Sequence, residues 1–177
     1  ARVQRECGRL NLLIDELLSL AKMQQQQSIT AIDVCPIIEK IVADSRFSHQ
    51  HRKLEIRIAE GTNCNALASL TLFERALSNV IGNSLKHTTD DVEININVYN
   101  PNAEHLQISV VDNGKGVDSE QLSKLCEPFY RLDTNVDGHG LGLGIAKQAM
   151  AAQQGELSIE NVEPHGLKVN LQLITKK

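Results

Sequence analysis

The sequence predicts an α+β fold: a two-layer α/β sandwich, with a mixed sheet covered by helices on one face, preceded by one long amphipathic helix. Two observations support this prediction. Several segments alternate apolar and polar residues with a period of two, which is typical of strands that bury one face. Between them lie segments whose apolar residues recur at helical spacing. We expect the strands to form one sheet that buries its apolar face under these helices.

The first 22 positions predict the long helix. Their apolar residues are spaced alternately by four and three positions, as in a coiled coil or helical bundle: Val3, Cys7, Leu10, Ile14, Leu17 and Ala21. We infer a missing partner helix, a second subunit, or both; packing on the following domain is the alternative. The polar run MQQQQSIT then predicts a linker. The predicted domains are therefore residues 1–27 and 28–177.

The next segments predict alternating helices and strands. A helix is expected from about Val34 to Gln50, with Asp33 as its N-cap, and the strand KLEIRI follows it. A second helix is expected from Leu70 to Lys86. The later alternating segments predict four more strands, which are VEININV, LQISVVD, ELSIE and LKVNLQL.

Two further helices are predicted in the last third of the chain. A short one runs from Glu120 to Cys126 with Ser119 as its cap. The other begins at Leu141 and stops at Gly155, with one apolar stripe made by Leu141, Ile145, Ala149 and Ala152. Between them, Asp133–Gly140 has no periodicity and predicts a loop.

Composition excludes some functions. The 177 residues carry a net charge of −4 and only 3% aromatic side chains, so no nucleic-acid partner is expected. The four cysteines are far apart and predict reduced, structural thiols in a cytosolic setting. His49 and His51 suit a solvated helix end better than a metal site. No apolar run is long enough for a membrane span, and the start without Met suggests a fragment.

Polar residues gather on one face of the helix that contains NVIGNSLKH. Asn79, Asn83, Lys86 and His87 recur at spacings of three and four residues, so they share that face. Taken alone, such a face is more typical of plain solvated surface than of a functional site. The other polar motifs of the chain change this interpretation.

Glycine-rich motifs follow one strand and precede one helix. Asp112 offers a fixed acceptor at a strand end, and Gly114 and Gly116 let a flat group approach the backbone. Backbone N–H groups at a helix start, which bind phosphate, are exposed by Gly138, Gly140 and Gly142. Asn83 suits Mg²⁺, while Lys86 and Arg131 can neutralise phosphate. Together these parts predict an ATP site.

These motifs resemble the boxes of sensor histidine kinases of two-component systems. NVIGNSLKH is similar to the N box, DNGKGV to the first glycine box, EPFYR to the F box and GHGLGLGIA to the second glycine box. Gly166 resembles the glycine of a terminal glycine box. The helix RLNLLIDELLSLAK resembles the second helix of the dimerisation and phosphoacceptor hairpin. The resemblance therefore covers nearly the whole chain.

The resemblance implies the cofactors ATP and Mg²⁺ and a role for each matching residue. It makes Asn79, Lys86 and Arg131 catalytic and Asn83 the Mg²⁺ ligand. Asp112 accepts the adenine amino group, which favours adenine over guanine. The remaining nucleotide-binding residues that it implies are His87, Gly114, Gly116, Phe129, Tyr130, Gly138, Gly140, Leu141 and Gly142. The implied partners are the chain's own phosphoacceptor hairpin, a response regulator and a second subunit, and the implied location is the cytoplasmic side of a bacterial inner membrane.

The sequence also indicates which reaction to expect. Hydrolytic members of the same superfamily, the gyrase and MutL types, have a glutamate where this chain has Asn79, and an amide cannot deprotonate water. Transfer to another acceptor is therefore favoured over hydrolysis. The resemblance to histidine kinases implies that this acceptor is a histidine followed by an acid. None of the six histidines is followed by an acid, so the phosphoacceptor is absent and no autophosphorylation is expected. The alternatives are a non-catalytic module of this fold and an ATP hydrolase.

Overall fold

The computed structural model describes residues 28–89, 91–132 and 140–176. The predicted helix and linker at 1–27 lie outside the described residues, and so does most of the predicted loop at 133–140. The strands are β1 (Thr30–Asp33), β2 (Lys53–Ile58), β3 (Asn65–Ala68), β4 (Glu93–Asn102), β5 (His105–Asp112), β6 (Glu156–Asn161) and β7 (Leu167–Thr175). The helices are α1 (Cys35–Ser48), α2 (Leu70–His87), α3 (Ser119–Leu122) and α4 (Gly142–Ala151).

All seven strands form a single mixed sheet. Its order is β1-β3-β7-β5-β4-β2, and β6 also pairs with β7. Within the described residues, β2 and β4 run parallel and the other strand pairs are antiparallel. The core lies between one face of this sheet and the helices, where α2 and α4 also pack against each other. The predicted α+β sandwich is confirmed.

The predicted strand alternation matches the observed burial. On β5, Leu106, Ile108 and Val110 are fully buried in the core, and on β4 Ile94 and Ile96 are buried beside them. Because neighbouring side chains on a strand point to opposite faces, one apolar face is enough to fix which side meets the helices. Among the described residues, no helix is long and apolar enough to cross a bilayer.

Two strands and two helix caps differ from the sequence prediction. The strands β1 (TAID) and β3 (NALA) span four residues each, which is too short for a period of two to show. The N-cap of α1 is Val34, although the Asp33 carboxylate accepts a hydrogen bond from the Cys35 N–H at 3.1 Å. Ser119 is the first residue of α3, whose N-cap is Asp118.

The helix α4 follows its predicted stripe except at one position. Leu141, Ile145 and Ala149 are buried, whereas Ala152 is exposed because the helix ends at Ala151. Beyond that end, the Gly155 N–H donates to the Met150 carbonyl at 2.9 Å.

The prediction of reduced cysteines is wrong for two of the four. Cys35 and Cys64 form a disulfide, with 5.8 Å between their Cα atoms and a sequence separation of 29. The cause is tertiary: antiparallel pairing of β1 with β3 places Asp33 opposite Asn65, which brings the adjoining cysteines together. Cys126 is free and half-buried, and Cys7 lies outside the described residues.

A buried glutamine connects the helices α2 and α4. The Gln153 side chain is 1% exposed; it accepts from the Ser69 N–H at 3.1 Å and donates to the Ala149 carbonyl at 3.1 Å. Ser69 is the N-cap of α2, and Ala149 belongs to α4. This side chain therefore fixes the start of α2 against the end of α4.

We expect Gln153→Leu to lower the free energy of unfolding by about 1–3 kcal/mol, because the buried Ser69 N–H loses its acceptor. Urea unfolding measures the change. Gln148→Leu is the matched control: its side chain is exposed on α4, so a change within about 0.5 kcal/mol is expected. Equal effects of the two substitutions would contradict the role of Gln153 in holding α2 against α4.

Candidate functional site

A cleft opens where the second half of α2, the end of β5 and the start of α4 meet. Its cavity has a volume of about 270 Å³. The described residues that line it include most of the predicted site residues, which are Asn79, Asn83, Lys86, His87, Asp112, Gly116, Tyr130, Arg131, Gly140, Leu141 and Gly142. Segments that are far apart in sequence therefore meet around one space.

Three predicted site residues are not part of this lining. Gly138 lies outside the described residues. Gly114 is buried just behind the cavity wall, where an added Cβ would lie 2.9 Å from Asp112 Oδ1 and 3.1 Å from Thr88 Cγ2. Phe129 is 53% exposed and contributes its backbone, since its N–H donates to the Gly140 carbonyl at 3.0 Å.

Asp112 lies at the base of the cleft and is only 4% exposed. Its Oδ1 accepts from the Gly114 N–H at 3.0 Å and from the Leu167 N–H at 3.3 Å. Burial raises the pKa of this carboxyl above its ordinary value, against the opposing effects of these two hydrogen bonds, the Ser84 hydroxyl and the Arg52 charge. The two backbone donors thus hold the carboxylate in place and shield its Oδ1 from solvent.

The raised pKa of Asp112 predicts how stability depends on pH. The folded state binds this proton more tightly than the unfolded state, so the free energy of unfolding falls as pH rises from about 4 through the raised pKa. Asp112→Asn lacks the titrating group. As pH rises from 4 to neutrality, we expect the free energy of unfolding of wild type to fall relative to that of Asp112→Asn, as measured by urea unfolding. A difference between the two proteins that stays constant with pH would contradict this.

The last residue of β6 and the connection between β6 and β7 hold the segment that contains the first glycine motif. The Asn161 side chain accepts from the Val117 N–H at 3.0 Å and donates to the Val117 carbonyl at 2.5 Å. The His165 Nδ1 lies 3.0 Å from the Asn113 carbonyl and 3.1 Å from the Gly114 carbonyl. These contacts fix the segment that forms one wall of the cleft.

The helix α2 supplies the opposite wall. The Asn79 side-chain N–H donates to the Arg75 carbonyl at 2.8 Å, and a Cβ added to Gly142 would lie 3.4 Å from Asn79 Oδ1. The Asn79 amide therefore faces the first turn of α4 closely. One and two turns further along α2, Asn83, Lys86 and His87 line the same cavity. The predicted polar face is the face that borders the cleft.

The start of α4 forms the third wall and requires a glycine before it. Gly140 has φ of +69°, and a Cβ there would lie 2.5 Å from the Tyr130 carbonyl oxygen. An L side chain at this position is thus excluded both by conformation and by contact with backbone. Through the Phe129–Gly140 hydrogen bond, the start of α4 lies next to the chain at Phe129.

Sequence reasoning missed the buried residue that supports α2. Arg52 is 9% exposed; its guanidinium donates to the Thr88 carbonyl at 3.0 Å and also to the Thr89 carbonyl and the Thr88 hydroxyl. It thereby satisfies carbonyls at the C-terminal end of α2, close to Asp112. A single arginine before an apolar strand gives no sequence signal, because most arginines are exposed. Ser84 was also missed, although it lies within the N-box segment.

Comparison with known proteins identifies the family. Residues 69–177 match the model described as histidine kinase-, DNA gyrase B- and HSP90-like ATPase. The chain belongs to this ATPase family. The segment that matches contains α2, α4 and the strands between and after them, and so includes every wall of the cleft.

Two relatives of this chain are bacterial sensor proteins. The chain is 27% identical over 170 residues to the sensor protein CreC of Escherichia coli and covers 35% of its length. It is 30% identical over 174 residues to the phosphate regulon sensor protein PhoR of Pseudomonas aeruginosa and covers 39% of its length. The aligned regions are 94% and 93% of this chain, so it spans little more than a third of these relatives. The resemblance to sensor histidine kinases is confirmed.

Solved structures share the fold. The mycobacterial sensor histidine kinase MprB superposes with a TM-score of 0.74 at 21% identity, over 82% of this chain and 97% of that chain. Full-length ShkA, solved in complex with AMPPNP, superposes with a TM-score of 0.79 at 22% identity, over 98% of this chain and 38% of that chain. Likeness at this level of identity concerns the fold alone.

Proposed function

We propose that this chain binds Mg-ATP in the cleft and is the catalytic domain of a sensor histidine kinase. In the whole protein it transfers the ATP γ-phosphoryl group to a histidine, for relay to an aspartate of a response regulator. The observation that carries the proposal is the convergence of a buried carboxylate, an amide-bearing helix face and a glycine-rich helix start on one cavity. Membership of the ATPase family supports it.

The base of the cleft fits an adenine ring. Asp112 has one oxygen committed to two backbone N–H groups, so the carboxylate cannot rotate, and its acceptor character is fixed. An adenine amino group donates to such an acceptor, whereas guanine presents an oxygen at the same edge. Gly116 and Val117 line the same cavity beside this carboxylate.

The upper part of the cleft fits a triphosphate. Gly142 and Leu143, in the first turn of α4, border the cavity there, and N–H groups in a first turn have no intrahelical acceptors. Lys86 and Arg131 line the same space and supply positive charge. The Asn83 amide offers a neutral oxygen of the kind that Mg²⁺ accepts when it arrives bound to phosphates and keeps some of its waters. Bound there, Mg²⁺ neutralises phosphate charge.

Asn79 is the residue that favours transfer over hydrolysis. Its side-chain N–H is engaged with the Arg75 carbonyl, and an amide has no basicity with which to activate water. Its remaining role is to border the phosphate end of the cleft beside Gly142. The γ-phosphoryl group is thereby preserved for a protein acceptor.

The rest of the proposal concerns the whole protein. Residues 1–27 are the second helix of a dimerisation and phosphoacceptor hairpin with its linker, and residues 28–177 the ATP-binding domain. The whole protein forms a homodimer, receives its acceptor histidine from the hairpin and passes phosphate to a response regulator. The domain lies on the cytoplasmic side of a bacterial inner membrane. The motif resemblance and the sensor-kinase relatives support these assignments.

Calorimetry and phosphorylation of the same chain test the proposal. We expect ATP and ADP to bind in the presence of Mg²⁺, GTP not to bind, and radiolabelled ATP to leave no stable phosphate on the chain alone, because no histidine here is followed by an acid. Absence of ATP binding by a chain with an intact thermal transition would favour a non-catalytic module. Steady phosphate release that is lost on changing Asn79 would favour a hydrolase.

The role of Asn83 has its own expected result. Mg²⁺ should raise the ATP affinity of wild type, and Asn83→Ala should lose most of this gain because a ligand of the ion is lost. The expected loss in affinity is about tenfold. Affinity without Mg²⁺ should be nearly unchanged. Titrations with Mg²⁺ and with EDTA measure both quantities. Thr71→Ala, at an exposed residue of the same helix that does not line the cleft, is the control. A Mg²⁺ gain kept intact in Asn83→Ala would contradict the role.

A further inference from the structure

The Cys35–Cys64 disulfide lies at the end of the sheet opposite the cleft. On β7, Leu167 pairs with Asp112 at the base of the cleft. At the other end of β7, Thr175 pairs with Ala66, and Ala66 is two residues after Cys64. From position 167 to position 175, at about 3.3 Å per residue, the two ends of β7 are roughly 26 Å apart. The disulfide is therefore no part of the cleft.

The disulfide connects two segments that are otherwise joined by few bonds. Besides the S–S bond, the Val34 N–H donates to the Cys64 carbonyl at 3.0 Å, and β1 pairs with β3 over four residues. The strand β1 is an edge of the sheet and, of its residues, only Ile32 is half-buried. Little apolar burial thus holds β1, which begins at Thr30, near the start of the described residues.

Both cysteines are partly exposed. Cys35 and Cys64 are half-buried rather than enclosed, and Asn63 and Asn65 on either side of Cys64 are exposed. Small oxidants and thiol reductants can reach such a pair.

We propose that Cys35 and Cys64 are a reversible thiol–disulfide site that fastens β1 to the domain when oxidised and releases it when reduced. With a peroxide as oxidant, one thiolate attacks a peroxide oxygen, giving a sulfenic acid and, after protonation, one water. The second thiol attacks the sulfenic sulfur, forming the S–S bond and releasing a second water. A dithiol reverses the step by two exchanges and becomes a disulfide itself.

A metal site is the other chemistry that these atoms allow. Among the described residues, Asp33, Cys35 and Cys64 are the one group of His, Cys, Asp and Glu whose donor atoms all lie within 4.8 Å of one another. The joined sulfurs and the engagement of the Asp33 carboxylate with the Cys35 N–H favour the redox site. Binding of Zn²⁺ by the reduced chain is accordingly an outcome that the experiment must distinguish.

The experiment compares peroxide-treated and dithiol-reduced chain. After alkylation and proteolysis without reduction, the oxidised sample should yield a Cys35–Cys64 peptide. Its melting temperature should exceed that of the reduced sample by roughly 5–10 °C, because closing a 29-residue separation restricts the unfolded chain. Hydrogen exchange at residues 30–33 should be slower when oxidised, and ATP affinity should agree within about twofold in the two states.

Matched variants separate this site from the other thiols. Cys35→Ser and Cys64→Ser should abolish the melting difference, while Cys126→Ser should keep it, since burial raises the pKa of the Cys126 thiol and makes it a poor nucleophile. The proposal is overturned if both cysteines are alkylated after peroxide, if they pair with other cysteines, or if the two redox states melt together. Zn²⁺ that stabilises the reduced chain and shields both thiols from alkylation would also overturn it.

Discussion

Asp112→Asn is expected to reduce ATP affinity by about a hundredfold or more, the largest functional effect of a single substitution in this domain. The asparagine side-chain oxygen must stay where Oδ1 is, because the Gly114 and Leu167 N–H groups both donate to that position. The amide NH₂ then replaces the second carboxylate oxygen. An adenine amino group approaching that edge meets a donor instead of an acceptor, which leaves both donors unsatisfied in a buried site.

Isothermal titration with Mg-ATP measures this loss, and the thermal transition of the same sample shows that the fold is intact. Asp118→Asn, at an exposed residue a few positions along the chain, is the matched control and should bind as wild type does. A loss of less than threefold in Asp112→Asn would mean that the carboxylate does not meet the base. Equal losses in both variants would point to net charge rather than to the buried acceptor.

Gly166→Ala is expected to cause the largest loss of stability, about 4 kcal/mol or more. Gly166 has φ of +132°, and an added Cβ would lie 2.1 Å from the Asp112 carbonyl oxygen and 3.2 Å from the Asn113 Cα. The Val162 side chain, 2.9 Å from the added Cβ, could move aside, but the Asp112 carbonyl is backbone and could not. Relief requires β5 and β7 to separate where Asp112 pairs with Leu167, which also displaces a donor to the Asp112 carboxylate.

Urea unfolding of Gly166→Ala beside Gly61→Ala isolates the contribution of this contact. Gly61 also has a positive φ, +75°, but an added Cβ there meets no heavy atom within 4 Å. Its substitution should cost about 1–2 kcal/mol, the cost of a left-handed conformation alone. If Gly166→Ala were no more destabilising than Gly61→Ala, the close approach of the β6–β7 connection to Asp112 would be wrong.

The periodic parts of the fold could be predicted from sequence. The strand β4 shows apolar residues at every second position, and these are the residues that the core buries. The helix α2 carries its polar residues at spacings of three and four, so their common face follows from helix geometry alone. The short strands β1 and β3 could not be found in this way, because they are held by pairing rather than by a pattern of their own.

The residues that line the candidate site could be predicted from the sequence. The residues that hold those segments in place could not. The motifs indicated Asp112, Asn83 and Gly142 because each residue type is tied to a particular chemistry. The Arg52 guanidinium under α2, the Asn161 side chain against Val117 and the backbone role of Phe129 depend on segments distant in sequence. Nothing local distinguishes such residues from ordinary surface positions.

By itself the sequence determined the class of fold, the polar helix face and the set of residues suited to a nucleotide, because periodicity and residue chemistry are local properties. Only the tertiary structure decided the order of strands, the joining of Cys35 to Cys64 and the burial of Asp112 between the Gly114 and Leu167 N–H groups. The physical reason is that strand pairing and burial depend on contacts across the chain, and many pairings satisfy the same local pattern.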